Sequence, residues 1–209
     1  MQEALNNAFP STAAQLGYPD IICKIQTIKF FPKGDGFSKF KAPAFKITAG
    51  YARKGSPQEK KVKEGKCSKV LHVDVSFKEP IGGIQILRLG NNGSEIAAYS
   101  LKDIIAEKYR SLLQQEDRKR YRRQDVYDLN MLISQFSFDT EELKEIQALL
   151  LEKSHARDIL PNINSLQEEE IIKRAKSEWE TLSLEIGKLP NFDDCFVKVN
   201  AFYRDLPWE

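Results

Sequence analysis

The sequence predicts an α+β fold, with a mostly antiparallel or mixed sheet in its N-terminal half and helices in its C-terminal half. Two observations carry this. Apolar residues recur with a period of two up to about residue 99 and at helical spacing beyond it. The strand candidates also follow one another too closely for helical crossovers, so most pairings are expected to be antiparallel.

The first candidate strand spans residues 20–31, where Ile21, Cys23 and Ile25 alternate with Ile22, Lys24 and Gln26. The second, 44–51, sets Phe45, Ile47, Ala49 and Tyr51 on one face and Lys46 and Thr48 on the other. The third, 70–77, is the clearest: Leu71, Val73, Val75 and Phe77 form an apolar face, opposite His72, Asp74 and Ser76. Residues 84–89 and 95–99 complete the set. Turn signals separate them, at Pro32-Lys33-Gly34-Asp35-Gly36, at Glu79-Pro80-Ile81-Gly82-Gly83 and at Gly90-Asn91-Asn92-Gly93. The loop 53–69, with seven basic and two acidic residues, reads as a long mobile hairpin tip.

Helices follow. Ser100 is an N-cap with a carboxylate, Asp103, at the third helical position. Leu101, Ile104, Ile105, Leu112 and the stem of Tyr109 then form one stripe. A basic joint, Arg118-Lys119-Arg120-Tyr121-Arg122-Arg123, precedes a second helix over 124–136. Asp139 with Glu142 caps a third, ending near Lys153. Ser165 with Glu168 opens a long fourth helix that stops at Gly187, with Pro190 beyond. Residues 192–204 make a fifth. The expected organisation is a strand-rich unit over 1–98 and a helical unit over 99–209.

The 209 residues, 30% charged and 41% hydrophobic, have the composition of a globular protein of one or two domains. No apolar run approaches the ~18 residues of a membrane span, and residues 1–16 lack the basic and apolar regions of a secretory signal. Three dispersed cysteines form no Cys-x-x-Cys pair, which argues against a disulfide framework or cysteine-rich zinc site and for a reducing cytoplasm. Two histidines leave little room for histidine-cluster chemistry. The formal net charge of +2 conceals an asymmetry: +7 over residues 1–80, +2 over 81–130 and −7 over 131–209. A basic front facing an anionic partner is one reading; a lysine-rich loop and solvated acidic helices at opposite ends is the other.

Four features could carry chemistry. Asp74 is a mid-strand carboxylate on the polar face, either solvated or a ligand for a hard cation such as magnesium. Lys108 lies seven residues after Leu101 and four after Ile104, on the apolar stripe. It is either a lysine snorkelling at a helix rim or a cation held by packing and aimed at an anionic substrate such as a triphosphate. Asp125 and Asp128 stand at i and i+3 in the first turns of a helix. They either complement its dipole or, at Asp125, supply the partner that orients Lys108. The joint 118–123 is a solvated turn or a grip for nucleotide phosphates or an RNA backbone.

The stretch Tyr99-Ser100-Leu101-Lys102-Asp103-Ile104-Ile105-Ala106-Glu107-Lys108-Tyr109-Arg110-Ser111-Leu112-Leu113, followed by Arg123-Gln124-Asp125-Val126-Tyr127-Asp128-Leu129, resembles the AbiEii/AbiGii toxin family of nucleotidyltransferases, whose fold is polymerase-β-like. The strand Leu71-His72-Val73-Asp74-Val75-Ser76-Phe77 is similar to the family's strand bearing the third metal carboxylate. The resemblance implies a toxin of a toxin–antitoxin or phage-defence module that transfers a nucleotide from a nucleoside triphosphate, using magnesium, to an acceptor such as tRNA. It implies catalytic roles for Asp74 and Asp125 (Asp74 also the metal ligand), and nucleotide binding by Lys108, Arg123 and Asp128. A cognate antitoxin, often a DNA-binding repressor, is the implied partner.

Gln124, between the arginine and the aspartate, departs mildly from the family pattern. A larger departure lies upstream, where the family carries Gly-Ser and Asp-x-Asp. Here Gly55-Ser56 has no aspartate pair after it, and Asp20 and Asp35 are isolated. The expectation is a shortened member with impaired transfer, an exposed sheet edge and a tendency to self-associate. The alternative is a non-catalytic RNA- or protein-binding remnant.

Overall fold

A computed structural model describes residues 1–89 and 93–208. The turn signal at Gly90-Asn91-Asn92 therefore lies outside the described residues. The chain forms two units, Met1–Glu79 with Ile86–Ile96, and Pro80–Gln85 with Ala97–Glu209. Its strands lie in the N-terminal half and most of its helical residues in the C-terminal half, the α+β arrangement.

The first unit opens with a helix that the hydrophobic pattern did not announce, α1 (Gln2–Gln15), whose sequence includes Pro10 and buries no residue fully. It packs on β1 (Ile21–Phe31). A bulge explains part of the attachment. Between Ile25 and Thr27 the pairing of β1 with β2 (Ala44–Arg53) shifts, leaving Gln26 out of register. The Ile25 N–H donates to Asn6 Oδ1 at 2.8 Å, and Gln26 donates to the Cys67 carbonyl at 2.9 Å. Ile25, Phe45 and Ile47 are buried with Leu5 and Phe9 of the helix against them.

The loop expected to be a mobile tip is instead anchored. It contains α2 (Glu59–Lys63), and Val62 and Cys67 are buried with Ala52. Periodicity in a lysine-rich stretch is carried here by these two apolar residues alone, too few to read.

β2 also pairs antiparallel with β3 (Val70–Ser76), from Ala44↔Ser76 to Gly50↔Val70, and β3 ends the sheet. Opposed residues share a face, so Leu71, Val73 and Val75 continue the face of Ala49, Ile47 and Phe45. Only the Val75 end is covered: Leu71 is 54% and Val73 47% exposed. β4 (Ile84–Leu89) and β5 (Ser94–Tyr99) form a separate two-stranded sheet.

The second unit is built on α3 (Leu101–Leu113), α4 (Arg123–Gln135) and α5 (Thr140–His155). Ile105, Tyr109 and Leu112 pack with Val126, Leu129, Ile146 and Leu150 in one core, each aliphatic side chain contributing roughly 1.5–3 kcal/mol by burial. The capping box expected at Asp139 and Glu142 is formed in both directions.

The long helix expected over 165–187 is broken. A 3-10 turn at Ser165–Gln167, α6 (Glu169–Lys176), a 3-10 turn at Trp179–Leu182 and α7 (Ser183–Ile186) replace it. At the break Glu178 takes a left-handed conformation with φ 58°. That turn sends Trp179 inward, edge-on to Phe192 at 5.2 Å, with its indole N–H on the Pro190 carbonyl. α8 (Phe192–Arg204) closes the core, its Val199 carbonyl accepting from Tyr109 Oη at 2.9 Å.

Ser100 caps α3 as expected, accepting from the Asp103 N–H. The Asp103 carboxylate does not return to the cap. It accepts from Gly82 N at 2.7 Å and Gly83 N at 3.3 Å, and faces Lys153 Nζ at 2.5 Å. Lys153 also donates to the Pro80 carbonyl at 2.7 Å. Gly82 is required by close approach, since a Cβ there would sit 1.8 Å from a methyl of Leu149.

Candidate functional site

The second unit brings three of the singled-out residues together. Lys108 leaves α3 one turn beyond Ile104, at the edge of the buried face. From α4, Asp125 in the first turn and Asp128 one turn later meet it on a common flank. Lys108 Nζ lies 2.6 Å from Asp128 Oδ2 and 3.2 Å from Asp125 Oδ1. The side chains are 20%, 33% and 14% exposed for Lys108, Asp128 and Asp125. Arg122 adds a second cation, with Nη1 3.4 Å from Asp125 Oδ2.

Two cations against two carboxylates leave the group formally neutral but not relaxed. Burial works against the charge on Lys108, yet the hydrogen bond it donates to Asp128 and the fields of both carboxylates outweigh it and raise its pKa above the ordinary lysine value. Burial also pushes the Asp125 carboxyl up, and Lys108 and Arg122 recover only part of that cost. The ammonium is therefore a secure charge, while Asp125 is a carboxylate held at some expense. An anion that takes over Lys108 relieves neither burial nor packing, but it competes directly with Asp128, the more exposed of the two acids.

The neighbouring residues separate cleanly. Arg123 Nη1 is occupied by Glu178 at 3.4 Å, and it is Arg122, singled out only as part of the basic joint, that reaches Asp125. Glu107, adjacent to Lys108, pairs with Arg110.

Asp74 belongs to the first unit. Its side chain is 74% exposed on β3, 3.9 Å from Lys46, the residue opposite it on β2. On the same face His72 Nδ1 lies 3.3 Å from Thr48 Oγ1. Magnesium requires a near-octahedral set of oxygens. One exposed carboxylate facing a lysine does not supply it, and among the described residues no group of three or more His, Cys, Asp or Glu could hold a metal. The residues present do not fit the implied metal. Among the described residues no helix is long and apolar enough to cross a membrane.

A family model described as "Nucleotidyl transferase AbiEii toxin, Type IV TA system" matches residues 1–198. No curated protein and no solved structure matches the chain.

Proposed function

Since this chain belongs to the AbiEii nucleotidyl transferase toxin family of type IV toxin–antitoxin systems, we propose that Lys108, Asp125 and Asp128 form its nucleoside-triphosphate site. The observation that carries the reading is the sharing of one partly exposed ammonium between two carboxylates at 2.6 and 3.2 Å. Arg122 balances the group by also facing Asp125, yet Lys108 alone bridges both acids. A lysine that must be oriented while empty, and then released to a phosphate, gains from a second acid that keeps its position when the first is displaced.

In this reading Asp128 yields to the triphosphate, and Asp125 holds Lys108 and Arg122 in place from the more buried side. Charge-assisted hydrogen bonds from both cations to phosphate oxygens give affinity and orientation. Arg123 assists from the adjoining position once Glu178 gives way. Asp74 is the remaining catalytic candidate. As a lone carboxylate it supplies no magnesium site, so transfer by this chain is severely impaired and no step is routed through a metal.

Family membership implies an antitoxin partner; we take it to be a cognate repressor encoded with the toxin in a cytoplasmic phage-defence module. The acceptor is an RNA such as tRNA. The test uses purified chain. Nucleoside triphosphate binding is expected, and is lost in Lys108→Met. Incubation with radiolabelled triphosphates, magnesium and total RNA is expected to give little or no labelled RNA. Triphosphate affinity unchanged by Lys108→Met contradicts the site, and robust RNA labelling contradicts the impairment.

A further inference from the structure

The Lys108 group lies at one end of a longer basic surface within the second unit. Arg122, bound to Asp125, is the last but one residue of the joint 118–123, and the joint carries five cations around Tyr121. Arg118, Lys119 and Arg120 are exposed, and among the described residues they form no ion pair. Arg118 also suffers from its surroundings: burial, then the like charges of Arg157, Arg110, Arg120 and Arg122, lower its pKa below the ordinary arginine value. Like charges gathered on one surface raise the local concentration of anions.

On its other side the joint runs into a groove. Tyr121, half exposed, lines an open cavity of about 530 Å³ together with Lys173, Arg174, Lys176, Ser177 and Glu170. Glu170 pairs with Lys173 and Arg174, and Lys176 is held by Asp193. The groove lining itself carries three cations against one carboxylate. Arg123 pairs with Glu178, the residue after the groove residue Ser177.

An exposed aromatic ring between a run of unpaired arginines and a cation-lined groove matches the chemistry of single-strand polynucleotide binding. Cations follow the phosphates and a ring stacks on a base, without a sequence code. We infer that a single-stranded polynucleotide binds across the joint 118–122 and into the Tyr121 groove, with its backbone on Arg118 and Arg120 and a base stacked on Tyr121. The surface stands on its own geometry. Only the further step, that the bound strand is the acceptor and its end is presented to Lys108, rests on the triphosphate reading above.

The experiment is fluorescence anisotropy with a labelled single-stranded RNA of roughly 15 nucleotides, a length that spans one such site, without magnesium or triphosphate, across a salt series. Native protein is expected to bind with a steep salt dependence. Arg118→Gln with Arg120→Gln should lower the slope of log affinity against log salt by about 1.4, near 0.7 per lost phosphate contact. Tyr121→Ala should weaken binding roughly tenfold with the slope unchanged, and Tyr121→Phe should restore it. Circular dichroism and melting of each variant, with Tyr121→Phe as the conservative control, separate loss of binding from loss of fold. Single-stranded DNA binding as tightly as RNA agrees with the inference, since neither contact reads the sugar. RNA binding that ignores Tyr121→Ala and the arginine pair overturns it. So does duplex binding tighter than single strand, or polyglutamate binding as tightly as RNA. Lys108→Met is expected to leave RNA binding intact. Native protein that binds RNA but no triphosphate keeps this surface and removes the triphosphate site, whereas native protein that binds triphosphate but no RNA keeps the triphosphate site and removes this surface.

Discussion

Two lysine–aspartate groups in the helical unit use the same chemistry to opposite ends. Lys153 and Asp103 are sealed, with side chains 6% and 1% exposed. Asp103 also accepts from Gly82 and Gly83, and Lys153 also donates to Pro80. One cation meets one acid, and backbone groups take up the remaining bonding capacity. Lys108 is different: it bridges two acids, one of them shared with Arg122, water reaches all three side chains, and among the described residues no backbone group completes the set. A closed pair of this kind ties a strap of chain to a helix. An open one keeps a charge available.

The largest effect that can break this comparison is on stability. Lys153→Met strands a buried carboxylate and is expected to cost about 3–5 kcal/mol in denaturant unfolding. The same substitution at Lys108 leaves acids that can still reach water and should cost less than half as much. Equal losses at the two sites would erase the distinction. Next is function: Lys108→Met should weaken triphosphate affinity by roughly thirtyfold or more, measured by calorimetry.

Smaller effects sharpen the contrast through pH. The folded pKa of Lys108 is raised, so its contribution is complete below the ordinary lysine value of 10.5 and is lost as pH rises through the folded value. Stability of the native protein should therefore fall more steeply above pH 10.5 than that of Lys108→Met. Asp125 has the opposite consequence. A carboxyl whose pKa is raised favours its protonated form in the folded state, so stability from this group is present at low pH and is lost as pH rises above the ordinary carboxyl value of 3.8. Asp125→Asn is expected to be no less stable than native protein at pH 7, checked by thermal melting. The smallest effect belongs to Asp74→Asn, whose pairing with Lys46 is exposed, and should change stability by less than about 0.5 kcal/mol.

The open group was legible because its signals are local. A lysine on an apolar stripe and two aspartates one helical turn apart can be read without knowing what lies across the fold. The closed group was not. Asp103 reads as a capping residue and Lys153 as a helix-end cation, while the partners that define them, at Pro80, Gly82 and Gly83, are distant in sequence. The exchange of Arg122 for Arg123 comes from rotation: a step of one residue swings a side chain about 100° around the helix. α1 leaves no clear periodic signal because its apolar residues are sparse and Pro10 interrupts them. Nothing local in the sequence marks Glu178 for the left-handed turn that breaks the fourth helix; the turn accompanies the distant contact of Trp179 with Phe192. Likewise the apolar alternation of β3 specifies a face but not whether anything covers it, and Leu71 and Val73 remain open.

The central claim, that Lys108 is a charge kept available for phosphate, is tested most directly by isothermal calorimetry of a nucleoside triphosphate into native, Lys108→Met and Lys153→Met proteins at a temperature where all three are folded. The expected result is binding by native and Lys153→Met and loss of binding by Lys108→Met. Equal affinity in native and Lys108→Met proteins would contradict it.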